Sequence, residues 1–274
     1  MNDLKQASHQ KPFAGLRYFS HLGRLGLSDV HALGSHASAA LVHTLQLADG
    51  MRVLEIGFGT GATLARVAQI RQVQLVGMDF STGMHAAATQ RLKMAGVTAH
   101  VQLIRAHLNA LPLRAGFLDR AYSESALCFH AEPTATAALH AIQRALKPGG
   151  VFVANEAIWK DDAPDAQIRH ACERALQDFG SCQSWPQGWR LGDWINVMQR
   201  AGFEVNVTPL SEACATAPAM TRNRWVTSRF GWQSALRRVF DPALKAERAH
   251  YESLYKNHRG EGALTEDWLF VLKR

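Results

Sequence analysis

The stretch Val53-Leu-Glu-Ile-Gly-Phe-Gly-Thr-Gly61 decides how this chain is read. Val53-Leu54-Glu55-Ile56 is an apolar run of the length of a buried strand in a parallel sheet. Gly57, Gly59 and Gly61 follow at alternate positions, and Ala62–Gln69 then carries Leu64, Ala65, Val67 and Ala68 at helical spacing. Strand, glycine turn and helix in succession present bare backbone and a helix N-terminus, the layout that receives a nucleotide-like ligand. The spacing Gly57-x-Gly59-x-x-Ala62 also satisfies the dinucleotide fingerprint. Asp79 closes the next apolar run, Val73–Asp79, and serves as the ribose ligand in either reading.

Strands and helices alternate beyond this turn. Ser35 or Ser38 is positioned to cap a helix over His36–Leu47, which Ala48-Asp49-Gly50 ends. Ser81-Thr82 starts a helix over Gly83–Ala95, and Gly96 stops it. Val101–Ile104 reads as a third strand, a fourth begins at Asp119, and Val151–Asn155 is a fifth after the helix Thr134–Leu146. Asp193–Val207 reads as helix, glycine stop and sixth strand, and Trp268–Lys273 as a seventh. Such alternation implies right-handed crossovers and a doubly wound parallel sheet. Residues 1–33 show no strong periodicity, although Phe13, Leu16, Tyr18, Phe19, Leu22, Leu25 and Leu27 are too apolar for a free tail.

An acid, one residue, then glycines at alternate positions (Glu55, Gly57, Gly59, Gly61) resembles the first motif of the class I S-adenosylmethionine-dependent methyltransferases. Lys147-Pro-Gly-Gly150 and Arg200-Ala-Gly-Phe203, each before a strand, look like that family's later landmarks. The resemblance covers roughly residues 40–210 and 266–274. It implies a Rossmann-like, seven-stranded, mostly parallel sheet whose last strand runs antiparallel between the fifth and sixth. It further implies that Gly57–Gly61 approaches the methionine part of the cofactor, that Asp79 accepts from both ribose hydroxyls, and that Phe80 and Met84 flank the adenine. Many members carry an acid after the third strand to meet the adenine amine. This chain has Arg105-Ala-His107-Leu108-Asn109 there, so His107, Asn109 or backbone takes that role, with Leu108 and Ser123 completing the cofactor set.

The loop after the fourth strand, Tyr122-Ser-Glu124-Ser125-Ala-Leu-Cys-Phe-His130, lacks the Asp/Asn-Pro-Pro-aromatic signature of methyltransferases acting on base or glutamine nitrogens. Glu124-Ser125 is instead similar to the Glu-Ser or Glu-Ala pair of tocopherol, sterol and prenyl-diphosphate C-methyltransferases, relatives of the ubiquinone/menaquinone group. Under that resemblance Glu124 faces the transferable methyl and orients the acceptor, offsets a developing cation or removes a proton. A hydrogen bond from Glu124 to the cofactor's amino group or to a flap amide is the competing reading. His130 is a candidate base, its ordinary pKa suiting neutral pH.

Around residues 35–156 as cofactor core, residues 1–34 read as a flap, 157–191 and 210–265 as insertions forming a helical lid over the acceptor, and 192–209 with 266–274 as the end of the sheet. Tyr18, Phe19 and His31 in the flap, and Trp185, Arg222 and Trp225 in the lid, are the candidate acceptor contacts. Tryptophans suit an apolar or aromatic acceptor, and the arginines an anionic one. The acceptor reads as a small amphipathic or prenyl-type metabolite, carbon methylation being preferred over oxygen or nitrogen.

At 274 residues and 30.2 kDa, one α/β domain with a lid accounts for the length. The four cysteines show no C-x-x-C spacing and the histidines no H-x-x-x-H set, so no structural metal is expected; Mg²⁺ enters only with a diphosphate acceptor. The polar N-terminus and the lack of an apolar run near 20 residues long lead to an expectation of cytoplasmic location. A net charge of +7 admits nucleic acid, a membrane surface or an acidic substrate, and a homo-oligomer stays open. The rival functions are an RNA-modifying methyltransferase, a nicotinamide oxidoreductase and a non-catalytic cofactor-binding protein.

Overall fold

The computed structural model describes residues 15–182, 188–220, 230, 232–236, 239–258 and 260–274. Seven strands form one sheet: β1 (Arg52–Ile56), β2 (Gln74–Asp79), β3 (Val101–Arg105), β4 (Leu118–Glu124), β5 (Leu146–Trp159), β6 (Glu204–Pro209) and β7 (Thr265–Lys273). Their order is β3-β2-β1-β4-β5-β7-β6, with β7 antiparallel to both neighbours and the other pairs parallel. The chain steps outward from β1 to β3 and then returns to place β4 on the other side of β1. A crevice opens at such a reversal, at the carboxyl ends of the strands. The sheet and its one antiparallel strand agree with the expected architecture.

Helices cover both faces because both are apolar. On one face Leu54, Phe152 and Phe270 pack with Leu139 and Ile142 of α5 (Glu132–Ala145) and Val197 and Met198 of α7 (Leu191–Arg200). On the other, Val53, Tyr122, Val153 and Leu269 meet α2 (Gly34–Thr44), α3 (Ala62–Ile70) and α4 (Thr82–Ala95). The Ser81 hydroxyl accepts from Met84 N at 3.3 Å at the start of α4, and Gly96, with φ 69°, ends it. Both ends follow the sequence reading.

Other boundaries differ for traceable reasons. The helix near residue 36 starts at Gly34, behind Leu33 with φ 55° and without a side-chain cap; Ser38 lies inside it and its hydroxyl is used elsewhere. β5 continues to Trp159 because β7 pairs with it from Val151 through Trp159, well past the end of β4. The segment expected to lack periodicity contains α1 (Gly15–Leu25), with Tyr18, Phe19, Leu22 and Leu25 on one side, a stripe interrupted by Gly23. The insertions contain α6 (Asp165–Phe179), α8 (Leu210–Thr216) and α9 (Pro242–Asn257). Trp185, Arg222 and Trp225, with Arg224, Arg229, Arg237 and Arg238, lie outside the described residues. No helix among the described residues is long and apolar enough to cross a membrane.

The docking of α1 positions the site. It crosses the start of α4 backbone to backbone: a Cβ on Gly23 would lie 2.6 Å from the Gly83 carbonyl carbon, and one on Gly83 would lie 2.9 Å from Ser20 Cα. Phe19 then reaches Phe80 and Phe129 edge-on, at 5.8 and 5.5 Å between centroids. His21 Nδ1 meets Glu247 of α9 at 2.8 Å. Gly23→Ala must push α1 off α4, since backbone cannot yield as a side chain would. The expected loss is about 1–3 kcal/mol in urea denaturation; an unchanged midpoint would remove the close crossing.

Candidate active site

A cavity of about 1580 Å³ opens at the carboxyl ends of β1, β2 and β4, under α1 and against α9. It contains the glycine turn, and the turn's geometry shows which side a ligand approaches. Gly57 and Gly59 have φ of 68° and 52°. A Cβ on Gly59 would meet nothing closer than the Gly57 carbonyl oxygen at 4.0 Å, so this position faces open space that a side chain would fill. Gly61 turns the other way: its Cβ would lie 2.9 Å from Ala88 Cβ, which seats α3 on α4 and keeps Gly61 off the cavity wall.

Asp79 ends β2 beside this turn. Its Oδ2 accepts from Gly59 N at 3.0 Å and its Oδ1 from Ser81 N at 2.8 Å, which leaves lone pairs for further donors. Burial raises its pKa to about 6 against those amides. Glu55, further back on β1, accepts from the Tyr122 hydroxyl at 2.6 Å. Burial, then the charge of Glu124, pushes its pKa well above the usual carboxylate range. Phe80, Met84, His107 and Leu108 line the same region, with the rings of Phe80 and His107 stacked at 5.5 Å. Ser123 does not reach the cavity; it is fully buried and its hydroxyl donates to Glu156 at 3.2 Å.

Glu124, at the end of β4, is the best-supported charge in the site. Thr63 Oγ1 donates to it at 2.6 Å and Ser38 Oγ at 2.7 Å, His31 Nε2 lies 3.0 Å away, and Asn155 Nδ2 is at 3.5 Å. Burial alone would raise its pKa. The hydrogen bond and charge of His31, then the hydroxyls of Thr63 and Ser38, outweigh burial and hold Glu124 below the ordinary range. His31 is raised in turn, its partner Glu124 overcoming its own burial. The two form a hydrogen-bonded pair on the cavity wall, charged when His31 is protonated. His130 lines the same wall, but burial, then the charge of His107, lowers its pKa to about 4. It is neutral at pH 7 and a weak proton acceptor.

Tyr18 and Phe19 of α1, and His31, also line the cavity. Sequence reasoning missed several contributors. Tyr251 and Tyr255 of α9 line the cavity and pack around Tyr18, with centroids 5.2 and 6.2 Å away. Asp29 forms a two-pronged pair with Arg66, both contacts 2.5 Å, and holds the segment before α2 against α3. Ser38, Thr63 and Asp267 were missed as well.

The strand order, the glycine turn after β1 and the acid ending β2 are those that the resemblance to class I S-adenosylmethionine-dependent methyltransferases implied. In particular, residues 53–150 match the family model of a methyltransferase domain, and the chain carries such a domain. A 24-methylenesterol C-methyltransferase 2 of Oryza sativa subsp. japonica is 26% identical over 182 residues, 62% of this chain and 48% of that protein. The chain thus spans about half the length of the curated relatives it matches. Among solved structures, the [4+2]-cyclase SpnF superposes with TM-score 0.66 at 19% identity, covering 96% of this chain and 93% of its own. The geranyl diphosphate C-methyltransferase of Streptomyces coelicolor A3(2), solved with Mg²⁺, geranyl diphosphate and S-adenosyl-L-homocysteine, gives 0.58 at 12% identity, covering 86% and 79%. These likenesses establish the fold.

The residues fit S-adenosylmethionine: Gly59 leaves room for it, and Asp79 retains lone pairs for a ribose. The raised pKa of Asp79 sets a pH dependence with two opposite signs. Its protonated form favours the fold, a contribution present at acid pH and lost as pH rises through about 6. With Asp79 as the expected ribose ligand, cofactor affinity runs the other way, because an ionised carboxylate is the better acceptor for ribose hydroxyls. S-adenosylhomocysteine affinity, measured by calorimetry from pH 5 to 8, is expected to weaken below about pH 6. Asp79→Asn should flatten that profile, and a wild-type profile without the fall would remove Asp79 from the ribose.

Proposed function

We propose that this protein transfers a methyl group from S-adenosylmethionine to a carbon of a bulky, largely apolar, electrically neutral acceptor. The observation that carries the reading is an ionised Glu124, held in its charged form by neighbours, on a wall otherwise rich in aromatic side chains. The cavity is larger than the roughly 300–1,000 Å³ of a pocket for one small ligand, which supports a cofactor and an acceptor side by side. Tyr18, Phe19, Phe129, Tyr251 and Tyr255 offer the acceptor apolar surface. The carboxylates Asp29, Glu124, Glu252 and Asp267 also lie on the wall, and Arg248 is paired with Glu252 at 2.6 Å. Among the described residues, that balance disfavours a diphosphate, and Mg²⁺ with it.

The cofactor supplies an electrophilic methyl carbon on a sulfonium. An acceptor alkene that gives its π electrons to that carbon, as the carbon–sulfur bond breaks and its electron pair stays on sulfur, is left cationic, and an adjacent C–H proton must leave to restore neutrality. Glu124 offsets this charge and takes the proton, and His31 keeps the carboxylate ionised beforehand. The aromatic faces stabilise the same charge by cation–π attraction, and α1 excludes water.

Binding of S-adenosylmethionine and S-adenosylhomocysteine by calorimetry comes first, then a labelled-methyl screen of terpenoid alkenes, phenols and amines. Glu124→Gln is expected to lower turnover of the labelled acceptor at least 100-fold while S-adenosylhomocysteine affinity changes no more than about threefold. Label entering amines or phenols alone would sink the carbon reading. Binding without label in any acceptor class would leave a cofactor-binding protein.

A further inference from the structure

Glu156, fully buried near the end of β5, has no part in the chemistry above, and a buried carboxylate at a cavity's edge needs a reason. Its partners supply one. Oε1 accepts from Ala126 N at 3.3 Å, Leu127 N at 3.1 Å and Ser123 Oγ at 3.2 Å, and Oε2 accepts from Cys128 N at 3.1 Å. The preceding amide, Ser125 N, goes to Asn155, to its carbonyl oxygen at 2.8 Å and its Oδ1 at 3.1 Å. The successive N–H groups of residues 125 to 128 therefore all end on Asn155 and Glu156.

This backbone is not in a relaxed conformation. Ser125 has φ 49°, a left-handed value that a serine adopts at a cost and keeps only when its surroundings over-determine it. Ala126 is the residue that a Cβ on Gly57 would strike, at 2.8 Å, so the loop rests directly on the glycine turn. Glu124 precedes the strained residue, and Phe129 and His130 follow it on the cavity wall. A small rotation of the loop would move all of them together.

We propose that Glu156 is a positioning residue: its carboxylate fixes the backbone of residues 125–128 and through it sets Glu124, Phe129 and the contact of Ala126 with the cofactor-binding turn. What the loop faces rests on the methyltransferase reading; that Glu156 holds the loop does not. The carboxylate suits this task because each of its oxygens only accepts. A glutamine of the same shape must turn an NH₂ toward at least one of the amides.

The test uses the full chain as wild type, Glu156→Gln and Leu139→Ala. Leu139 is a fully buried residue of α5 that makes none of these hydrogen bonds and serves as a control for general loss of stability. Hydrogen–deuterium exchange followed by mass spectrometry reads peptides spanning residues 123–130, and calorimetry reads S-adenosylhomocysteine. In Glu156→Gln, exchange at residues 126–128 should quicken at least tenfold beyond the control, and S-adenosylhomocysteine should bind roughly tenfold more weakly, as loss of satisfied buried hydrogen bonds implies. Adding Ser125→Gly, which adopts the left-handed value freely, should restore part of that affinity. Should Glu156→Gln not fold, Ser123→Ala removes one donor and should show a smaller change in the same peptides alone.

Exchange at residues 126–128 that matches the control overturns the proposal. So does an S-adenosylhomocysteine affinity in Glu156→Gln equal to that of Leu139→Ala. A wild-type protein that binds no S-adenosylhomocysteine would instead overturn the cofactor reading, and the exchange measurement would still decide whether Glu156 holds the loop.

Discussion

A carboxylate buried away from water keeps its charge only where hydrogen-bond donors replace the water it lost. The carboxyl end of this sheet holds Glu55, Asp79, Glu124 and Glu156, and each meets that constraint differently. Glu55 has a phenol and stands close to other acids, so its proton is hard to remove. Asp79 has the amides of Gly59 and Ser81 and sits near the middle of its titration at mildly acid pH. Glu124 gathers His31, Ser38, Thr63 and Asn155 and stays ionised. Those donors come from the segment before α2, from α2, from α3 and from β5. The charge on one side chain therefore depends on most of the surrounding architecture being in place.

The same constraint separates what was legible in the sequence from what was not. The glycine turn, Asp79 after the second apolar run, and Ser81 and Gly96 at the ends of α4 are local signals; each states its own geometry within a few residues. Ser38 is different. It reads as a cap for a helix beginning close by, yet its hydroxyl belongs to a residue 86 positions away. Thr63 and Glu124 are 61 apart, and no pattern in either neighbourhood announces the contact. β5 was read short because its length is set by β7, which returns only at the end of the chain. In α1 the stripe of apolar residues was present, but Gly23 interrupts it for the sake of a helix crossing visible only in three dimensions.

Charge is the second instructive case. The chain as a whole is basic, which invites an anionic partner. The described cavity wall is acidic, with Arg248 already engaged by Glu252. Net charge describes the average surface a distant partner meets. It carries little information about a cavity lined by residues from separate elements.

Four tyrosine and phenylalanine rings on the cavity wall come from pieces that are not part of the sheet's own connectivity. Tyr18 and Phe19 arrive on α1, ahead of the first strand, and Tyr251 and Tyr255 arrive on α9, within the long connection between β6 and β7. The glycine turn and its acid, by contrast, lie within the continuous run from β1 to β2. Substitutions at Tyr18, Phe19, Tyr251 and Tyr255 thus fall outside every strand pairing. The aromatic wall can therefore be altered without touching the glycine turn or its acid.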